Sequence, residues 1–559
     1  VDKIAPQWLA MSGLNLLSLL YISTKRKSLA QSISLNLKAY LSLTYTAFLI
    51  WAICSFIYAI NPTEVIVNIS RQLNVFIMFI SMAIFLFSFK AKLRFIPWVI
   101  TIILAVEIYA VLEQALDMIN SNGVISSGSL KGLTANRNIT AFSLAIKIPF
   151  ILFLIQLEKK MLTKIVLSIT ICLTLICLSM IQSRASFIAI GFTALAYVFM
   201  HTIIYLKRNR KWTQFLQIGF FLIPLLIAIL VNRTTLSNKG ADAISRAATI
   251  SVSTNDGSVN QRLRYYEDVL THLASNPIFG VGLGNWKLKS IDYDSRDIVG
   301  YIVPYHAHSD FIQLGAELGI FGFLLYLGIF LWGIYYVFVL LRYSNLEINE
   351  KVFLFLLITA LGVYSVDANL NFPIARPQVL VVWALIMGFI TVYYQKHRNQ
   401  TVKNSPNKSI NSNFLFFSIL LVSCSIFVNN KVFQSLKGQM FLLQDFNSNQ
   451  YNIPLNQVET VVPNIPNITV TTIPINSVKA RYFVNAKQYD KALALIDKGT
   501  DANPYLFYSE LLKSQIYQSI GKLDSAKIFA RKAFFGLPNN PLHASQYLNL
   551  ISQTGDSQA

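Results

Sequence analysis

The strongest constraint on this chain is a succession of apolar stretches, each near twenty residues long. They lie near 7–22, 39–60, 73–89, 96–114, 139–157, 165–180, 185–206, 213–231, 319–341, 352–369, 378–394 and 414–428. A run of ~20 apolar residues is what a helix needs to cross ~30 Å of hydrocarbon. Inside lipid a backbone must satisfy its own hydrogen bonds, which helices do within one segment. The expectation is an all-α, polytopic helical membrane protein with about 12 spans, the first of them short. Charged residues make up only 13% of the chain, against ~25% in soluble domains. A disordered chain and an ordinary cytosolic protein are thereby excluded. Cys54, Cys172, Cys177 and Cys424 all fall within apolar runs without a CxxC pair, so no disulfide framework and no redox compartment is read from them.

Net charge is +21. In a soluble protein this would suggest nucleic acid; here it concerns sidedness, and no nucleic-acid partner is expected. One set of alternate loops carries Lys25, Arg26, Lys27, Lys38, Lys90, Lys92, Arg94, Lys159, Lys160, Lys164, Lys207, Arg208, Arg210, Lys211, Arg342, Lys351, Lys396, Arg398, Lys403 and Lys408. The opposite short loops carry only Lys3, Arg71, Lys131, Arg137, Arg184 and Arg376. The positive-inside bias makes the first set cytoplasmic. The long loop 232–318, the C-terminal tail and the N-terminus then face outward. The chain starts at Val1 with no signal peptide, and an outward N-terminus suits a further span upstream, which would make thirteen.

Three regions follow: a transmembrane domain over 1–428 with outer loop 232–318, a linker over 429–472, and a repeat domain over 473–559. Between span and repeat, residues 447–478 are rich in Asn, Pro, Val and Thr and are expected to be an extended linker. The repeat rests on a 34-residue period that maps Phe483 to Tyr517, Asp490 to Asp524, Ala492 to Ala526, Ile496 to Ala530 and Pro504 to Pro538. This is the tetratricopeptide pattern, with a helix from 541 to about 553 capping the stack. Such a solenoid serves either as a folded spacer or as a groove for a protein partner.

Several polar residues stand where burial is expensive. Arg184 lies in Gln182-Ser183-Arg184-Ala185-Ser186 between two apolar runs. An arginine near a bilayer centre costs ~2.5–3.5 kcal/mol on insertion scales; at the interface it snorkels or points into the bundle. In the outer loop a helix is expected over 260–274, with Leu263, Tyr266, Leu270 and Leu273 as one apolar stripe. Arg262 flanks that stripe and Arg264 points away from it. The glycine-rich run 280–284, ending at Asn285-Trp286, lacks the GxGxxG spacing of a nucleotide loop and reads as an interfacial turn anchored by Trp286. His306 and His308, in Tyr305-His306-Ala307-His308-Ser309-Asp310, share one face if extended. They suit a metal with Asp292, Asp294 or Asp310, a helix cap, or a general base. No third ligand is fixed, so no metal and no cofactor is expected. Asn136 and Asn138 precede a span, where Asn is a strong N-cap. Arg376, in an outer turn, adds a cation. Arg184, Arg262, Arg376 and a histidine are expected on one face, and guanidinium forks match phosphate oxygens. Such a site beside a base suggests transfer chemistry on a phosphate-bearing lipid.

Over roughly residues 130–395 the sequence resembles the O-antigen ligase superfamily: lipopolysaccharide O-antigen ligases, O-antigen polymerases and bacterial protein O-oligosaccharyltransferases. The resemblance rests on Asn136 and Asn138, on Ser183-Arg184, and on Arg262 four residues before Tyr266. It continues through Asn276-Pro277 into the glycine-rich run, then His306-Ala307-His308 running into Glu317-Leu318-Gly319. The family usually has Asn after the second histidine, where this chain has Ser309. Its long outer loop follows the ninth span; here it follows the eighth.

The resemblance implies a GT-C-like, metal-independent, inverting glycan transferase of the bacterial inner membrane, multi-pass, with a periplasmic tail. Its donor would be a polyprenyl-diphosphate-linked glycan; its acceptor a hydroxyl on lipid A core, another glycan or a protein, with lipid A core favoured. By the same resemblance Arg184 and Arg262, with Arg376, hold the diphosphate, and His308, with His306, activates the acceptor. Asn136, Asn138 and Glu317 support the site. The competing class is a transporter or flippase for lipid-linked glycans, which would show internal repeats and interrupted helices. Neither is apparent in the sequence. A weaker reading is a scaffold whose tail recruits partners.

Overall fold

The computed structural model describes residues 4–207, 213–248, 257–343, 345–401, 412–448 and 450–555. Five of the expected cytoplasmic cations, Arg208, Arg210, Lys211, Lys403 and Lys408, lie outside these residues, as does Lys3. The described chain is helical, with one isolated bridge between Ile468 and Pro474 and no strand. Among the described residues eleven helices are long and apolar enough to cross a membrane: Tyr40–Ile57, Pro62–Ser88, Lys92–Asn122, Arg137–Leu157, Met161–Ile181, Arg184–Leu206, Phe215–Lys239, Asp310–Tyr343, Ile348–Ala368, Pro377–Arg398 and Asn413–Asn447.

The expected first span is a helix, Ala5–Thr24, but it does not join that set. Its buried face carries two polar residues, Ser12 and Asn15. Asn15 Nδ2 donates to Asn74 Oδ1 at 2.9 Å, and Asn429 Nδ2 donates to Ser12 Oγ at 2.9 Å. These buried amides and hydroxyls clip the helix to its neighbours and lower its hydropathy.

Arg137–Leu157 is almost wholly buried by its neighbours. It is interrupted between Ala145 and Ile148, and Lys147 sits at the break. Lys147 Nζ bonds Glu107 Oε2 at 2.7 Å and Ser143 Oγ at 2.7 Å. At ~1.5 Å per residue from Arg137 this pair lies roughly 15 Å into the bundle. A midspan interruption therefore does exist, contrary to the reading from sequence. The cation is closed on its own partners, so the pair reads as an internal tie.

The membrane helix beginning at Asp310 breaks at Gly319, whose φ of 68° and ψ of −172° leave the helical region. A Cβ there would strike the Ile278 carbonyl. The glycine-rich run crosses this break: Val281 N donates to Ala316 O at 3.0 Å and Ile320 N to Pro277 O at 2.9 Å. Gly280 is needed because a Cβ there would strike the Ala316 carbonyl. Trp286, 2% exposed, anchors the turn.

The tail folds as successive helices Ile475–Asn485, Tyr489–Ala502, Tyr508–Ser519, Leu523–Gly536 and Pro541–Thr554. Ala492, Ala526 and Ala530 are buried where helices meet, as the 34-residue period requires. The expected linker is not an extended tether. The last membrane helix runs on to Asn447, and Leu455–Val461 is helical. Val458 and Val462 are buried with Leu442 and Tyr482 in the tail's own core. Lys479 Nζ fixes the strap by donating to the Glu459 and Val462 carbonyls at 2.8 and 2.7 Å. The tail also docks on the outer loop. The Tyr301 hydroxyl and His543 Nε2 are 2.9 Å apart, and Asn540 Nδ2 donates to Gly300 O at 2.9 Å.

Candidate functional site

Turns at one end of the bundle build the site. Helix Met161–Ile181 ends on Gln182, whose φ of 57° turns the chain so that a new helix begins at Arg184. Asn136 caps the helix starting at Arg137 by accepting from Asn138 N and Ile139 N at 3.0 and 3.3 Å. Its role is structural, whereas Arg137 and Asn138 reach the site. The outer-loop helix, Gly257–Ser275, is displaced about its axis from the expected stripe. Its buried face is Tyr265, Val269 and His272, while Leu263 and Leu270 are exposed. The reason is the Trp286 turn, against which Val269 packs. Arg262 still faces the site. Arg264 does not simply face water: it bonds Asp294 and Asp297, each at 3.0 Å, and ties the loop together.

These elements enclose a cavity of about 450 Å³. Arg137, Arg184, Arg246 and Arg262 line it together with Asn138, Asn371 and His308. No Asp or Glu occurs among the described residues of its wall. Guanidinium forks of this kind match the oxygens of a multiply charged anion. In the sequence Arg137 is one loop cation among several, and nothing in the loop sequence singles out Arg246.

His308 stands at the edge of this cavity with a φ of 58°. The hydroxyl of Tyr266 lies 3.2 Å from its carbonyl and donates to Asn369 O at 2.7 Å. Its ring lies between Tyr265, centroids 6.2 Å apart, and Phe372, 5.7 Å. His308 Nδ1 is buried without a hydrogen-bond partner. Burial, then the charge of Arg262, push the imidazole down to about 4. It is therefore neutral at pH 7 and able to take a proton. Ser309, where the family usually has Asn, accepts from Ile312 N at 3.4 Å as a helix cap.

The expected single face is in fact two compartments. His306, Arg376 and Glu317 line a second cavity of about 460 Å³. His306 stacks on Phe372 with centroids 4.0 Å apart, and Arg376 lies over the same ring at 5.1 Å. Burial, then His308 and Arg376, push His306 down to about 3. Glu317 accepts from Gly284 N at 2.7 Å and Gln313 Nε2 at 3.0 Å, which locks the broken helix to the glycine turn. Arg376 thus does not share the cavity of Arg184 and Arg262. Phe372, which touches both histidines, carried no signal in the sequence. Among the described residues no three His, Cys, Asp or Glu side chains are grouped to hold a metal.

Fold and site define a multi-pass helical membrane protein with an arginine-lined cleft and a neutral histidine at one end of its bundle. Residues 169–327 match the family model described as O-antigen ligase. The match holds Arg184, Arg262, His306, His308 and Glu317, and leaves Asn136, Asn138 and Arg376 outside it. No curated protein matches the chain.

Proposed function

We propose that the protein is a metal-independent, inverting glycan transferase of the bacterial inner membrane. It moves a polyprenyl-diphosphate-linked oligo- or polysaccharide to an acceptor hydroxyl on the periplasmic face. The observation that carries this reading is the cavity that sets four arginines beside His308. Arg184 and Arg262 hold the diphosphate, and Arg137 and Arg246 complete its charge balance. Their fixed cations compensate the charge that develops as the C–O bond to phosphate breaks, which is worth most in a low-dielectric groove. The acceptor oxygen attacks the anomeric carbon from the opposite side. Its proton passes to His308, the electron pair leaves with the diphosphate, and the configuration inverts. A positioned base of this kind adds ~10²–10⁴-fold.

Lipid A core is the favoured acceptor, which would make the protein an O-antigen ligase; polymerase and protein-glycosylating activities use the same chemistry. The tail would lie in the periplasm as a tetratricopeptide domain. The test uses purified protein, a polyprenyl-diphosphate-linked glycan and core-only lipopolysaccharide, with and without excess EDTA. Transfer undiminished by EDTA is expected. Activity lost to EDTA and restored by one metal overturns metal independence, and absence of transfer to glycan, core or peptide overturns the transferase reading.

A further inference from the structure

The tail has no part in the chemistry proposed above, yet its apolar core is completed by the outer loop. Ile291 and Ile298 of that loop are buried in one cluster with Leu506, Tyr508 and Leu537 of the solenoid. Tyr301 packs edge-on against Tyr508, with centroids 5.3 Å apart. Polar contacts fix the register. Asn540 is fully buried. Its Oδ1 caps helix Pro541–Thr554 by accepting from Leu542 N at 3.0 Å, and its Nδ2 donates to Gly300 O at 2.9 Å. Asn539 Nδ2 donates to Arg296 O. His543 Nδ1 lies 2.9 Å from the Ala533 carbonyl, which only accepts, so Nδ1 carries the proton. Nε2 is left to accept from the Tyr301 hydroxyl at 2.9 Å. Burial pushes this imidazole down to about 4, so the neutral form persists at pH 7.

Just beyond Tyr301 the chain carries the two histidines. Residues 302–308 form neither helix nor strand, so their backbone depends on bonds from elsewhere. Ser290 Oγ donates to Pro304 O at 2.7 Å, Ala307 N donates to Gln313 Oε1 at 3.2 Å, and the Tyr266 hydroxyl lies 3.2 Å from His308 O. Ser290 adjoins Ile291, and Pro304 follows three residues after Tyr301, so the first of these bonds is seated on the tail's core. His308 has a φ of 58°, a left-handed geometry that a non-glycine residue keeps only where its surroundings impose it. No described tail residue lines the arginine cavity, so the docked solenoid supports the loop without closing that cavity.

Resting on the transferase reading above, we infer that the solenoid recognises residues 296–303 of its own chain and thereby braces His308 for proton transfer, with Tyr301, Asn540 and His543 as positioning residues. The tail's partner on this surface is the outer loop itself. Docking shortens the free run of chain ahead of the base to the few residues between Tyr301 and His308, which keeps the imidazole at the edge of the arginine cavity.

The test uses Asn540→Asp and Tyr301→Phe in the full chain. Asp caps a helix as well as Asn does, so the first keeps the tail folded while replacing the donor to Gly300 with an acceptor. The second keeps the ring against Tyr508 and removes only the hydroxyl. Hydrogen exchange is followed along the chain, transfer is measured from a polyprenyl-diphosphate-linked glycan to core-only lipopolysaccharide, glycan or Ser/Thr-rich peptide, and donor affinity is measured with a polyprenyl diphosphate. One lost hydrogen bond corresponds to roughly 2–10-fold. Exchange of the 302–308 amides should quicken and kcat should fall by about that factor. Donor affinity, acceptor KM and exchange within helix Leu523–Gly536 should stay as in wild type. An undiminished kcat would leave the tail a spacer, a raised kcat would make the contact inhibitory, and an effect on KM or donor affinity alone would place it on substrate binding; each overturns the brace. Exchange quickened throughout the tail of Asn540→Asp leaves Tyr301→Phe to decide. Hydrogen exchange separates the two ideas. Unchanged exchange at 302–308 in both variants sinks the brace whatever the transfer assay shows, whereas quickened exchange in the variants of a protein whose wild type transfers to no acceptor sinks the transferase reading and leaves the docking of the histidine segment in place.

Discussion

Replacing Arg262 tests binding and proton transfer at once. The guanidinium lines the donor cavity and also helps hold the His308 imidazole down to about 4, second to burial. Hydrogen bonds to charged groups contribute ~1.5–3 kcal/mol, and each ~1.4 kcal/mol is a factor of ten. Arg262→Ala should therefore weaken polyprenyl-diphosphate binding roughly 10–150-fold. Arg262→Lys retains the charge and loses the fork, for a loss of about tenfold. The pH profile separates the same variants. His308 titrates below the usual imidazole value of 6.5, so the neutral base persists as pH falls until about 4. The acid limb of kcat/KM in wild type should lie there. Removing the cation should raise that limb, though not to 6.5, because burial remains; Lys should leave it in place. A bound diphosphate offsets Arg262, so the acid limb of kcat should lie above that of kcat/KM. The assay is glycan transfer from about pH 3 to 8 beside equilibrium donor binding. Wild-type donor affinity in Arg262→Ala, or an equal limb shift in the Lys and Ala variants, would refute the reasoning.

His308→Ala should abolish turnover while leaving donor affinity within about threefold, since losing a weak partner costs well under 1.4 kcal/mol; His306→Ala should be milder, and a dead His306→Ala beside an active His308→Ala would reassign the base. Lys147→Met strands the Glu107 carboxylate and should cost ~3–5 kcal/mol in detergent unfolding, whereas adding Glu107→Leu should recover most of it; equal stability of the single and double variants would argue against a buried tie. A C-terminal alkaline phosphatase fusion should be active, because the tail shares the bundle end that carries few cations; a bright cytoplasmic reporter in its place would reverse the orientation and the site with it.

Span existence was legible because hydropathy is summed over twenty residues and tolerates local error. The helix at Ala5–Thr24 was harder to judge because Ser12 and Asn15 lower its hydropathy while serving interhelical bonds. Arg184 and His308 stood out as charge or imidazole at a span boundary and Arg262 on the flank of a loop helix, and the structure brings them to one cavity. Their division from His306 and Arg376 was not legible, since it depends on Phe372, an apolar residue in a turn whose contacts come from distant parts of the chain. The rotation of the Gly257–Ser275 helix escaped for a similar reason. Leucines at helical spacing mark an apolar face, but which face is covered depends on Trp286 and Val269 meeting across the loop. The linker was misjudged from composition, because a few valines among Asn and Pro are enough to seat a strap in a neighbouring core.

The last membrane helix, Ser412–Asn447, has 36 residues without a break. At ~1.5 Å per residue this is about 54 Å, against ~30 Å of hydrocarbon. Even a tilted helix of that length stands well clear of the lipid as a mast, and the strap lashes the solenoid to its upper part through Leu442 and Tyr482. The solenoid is held at a set height, close over the headgroups and against the loop beside the histidines. It cannot sweep the space beyond like an arm on a cord. Whatever it touches must come to the membrane surface, within a few nanometres of the arginine-lined cleft.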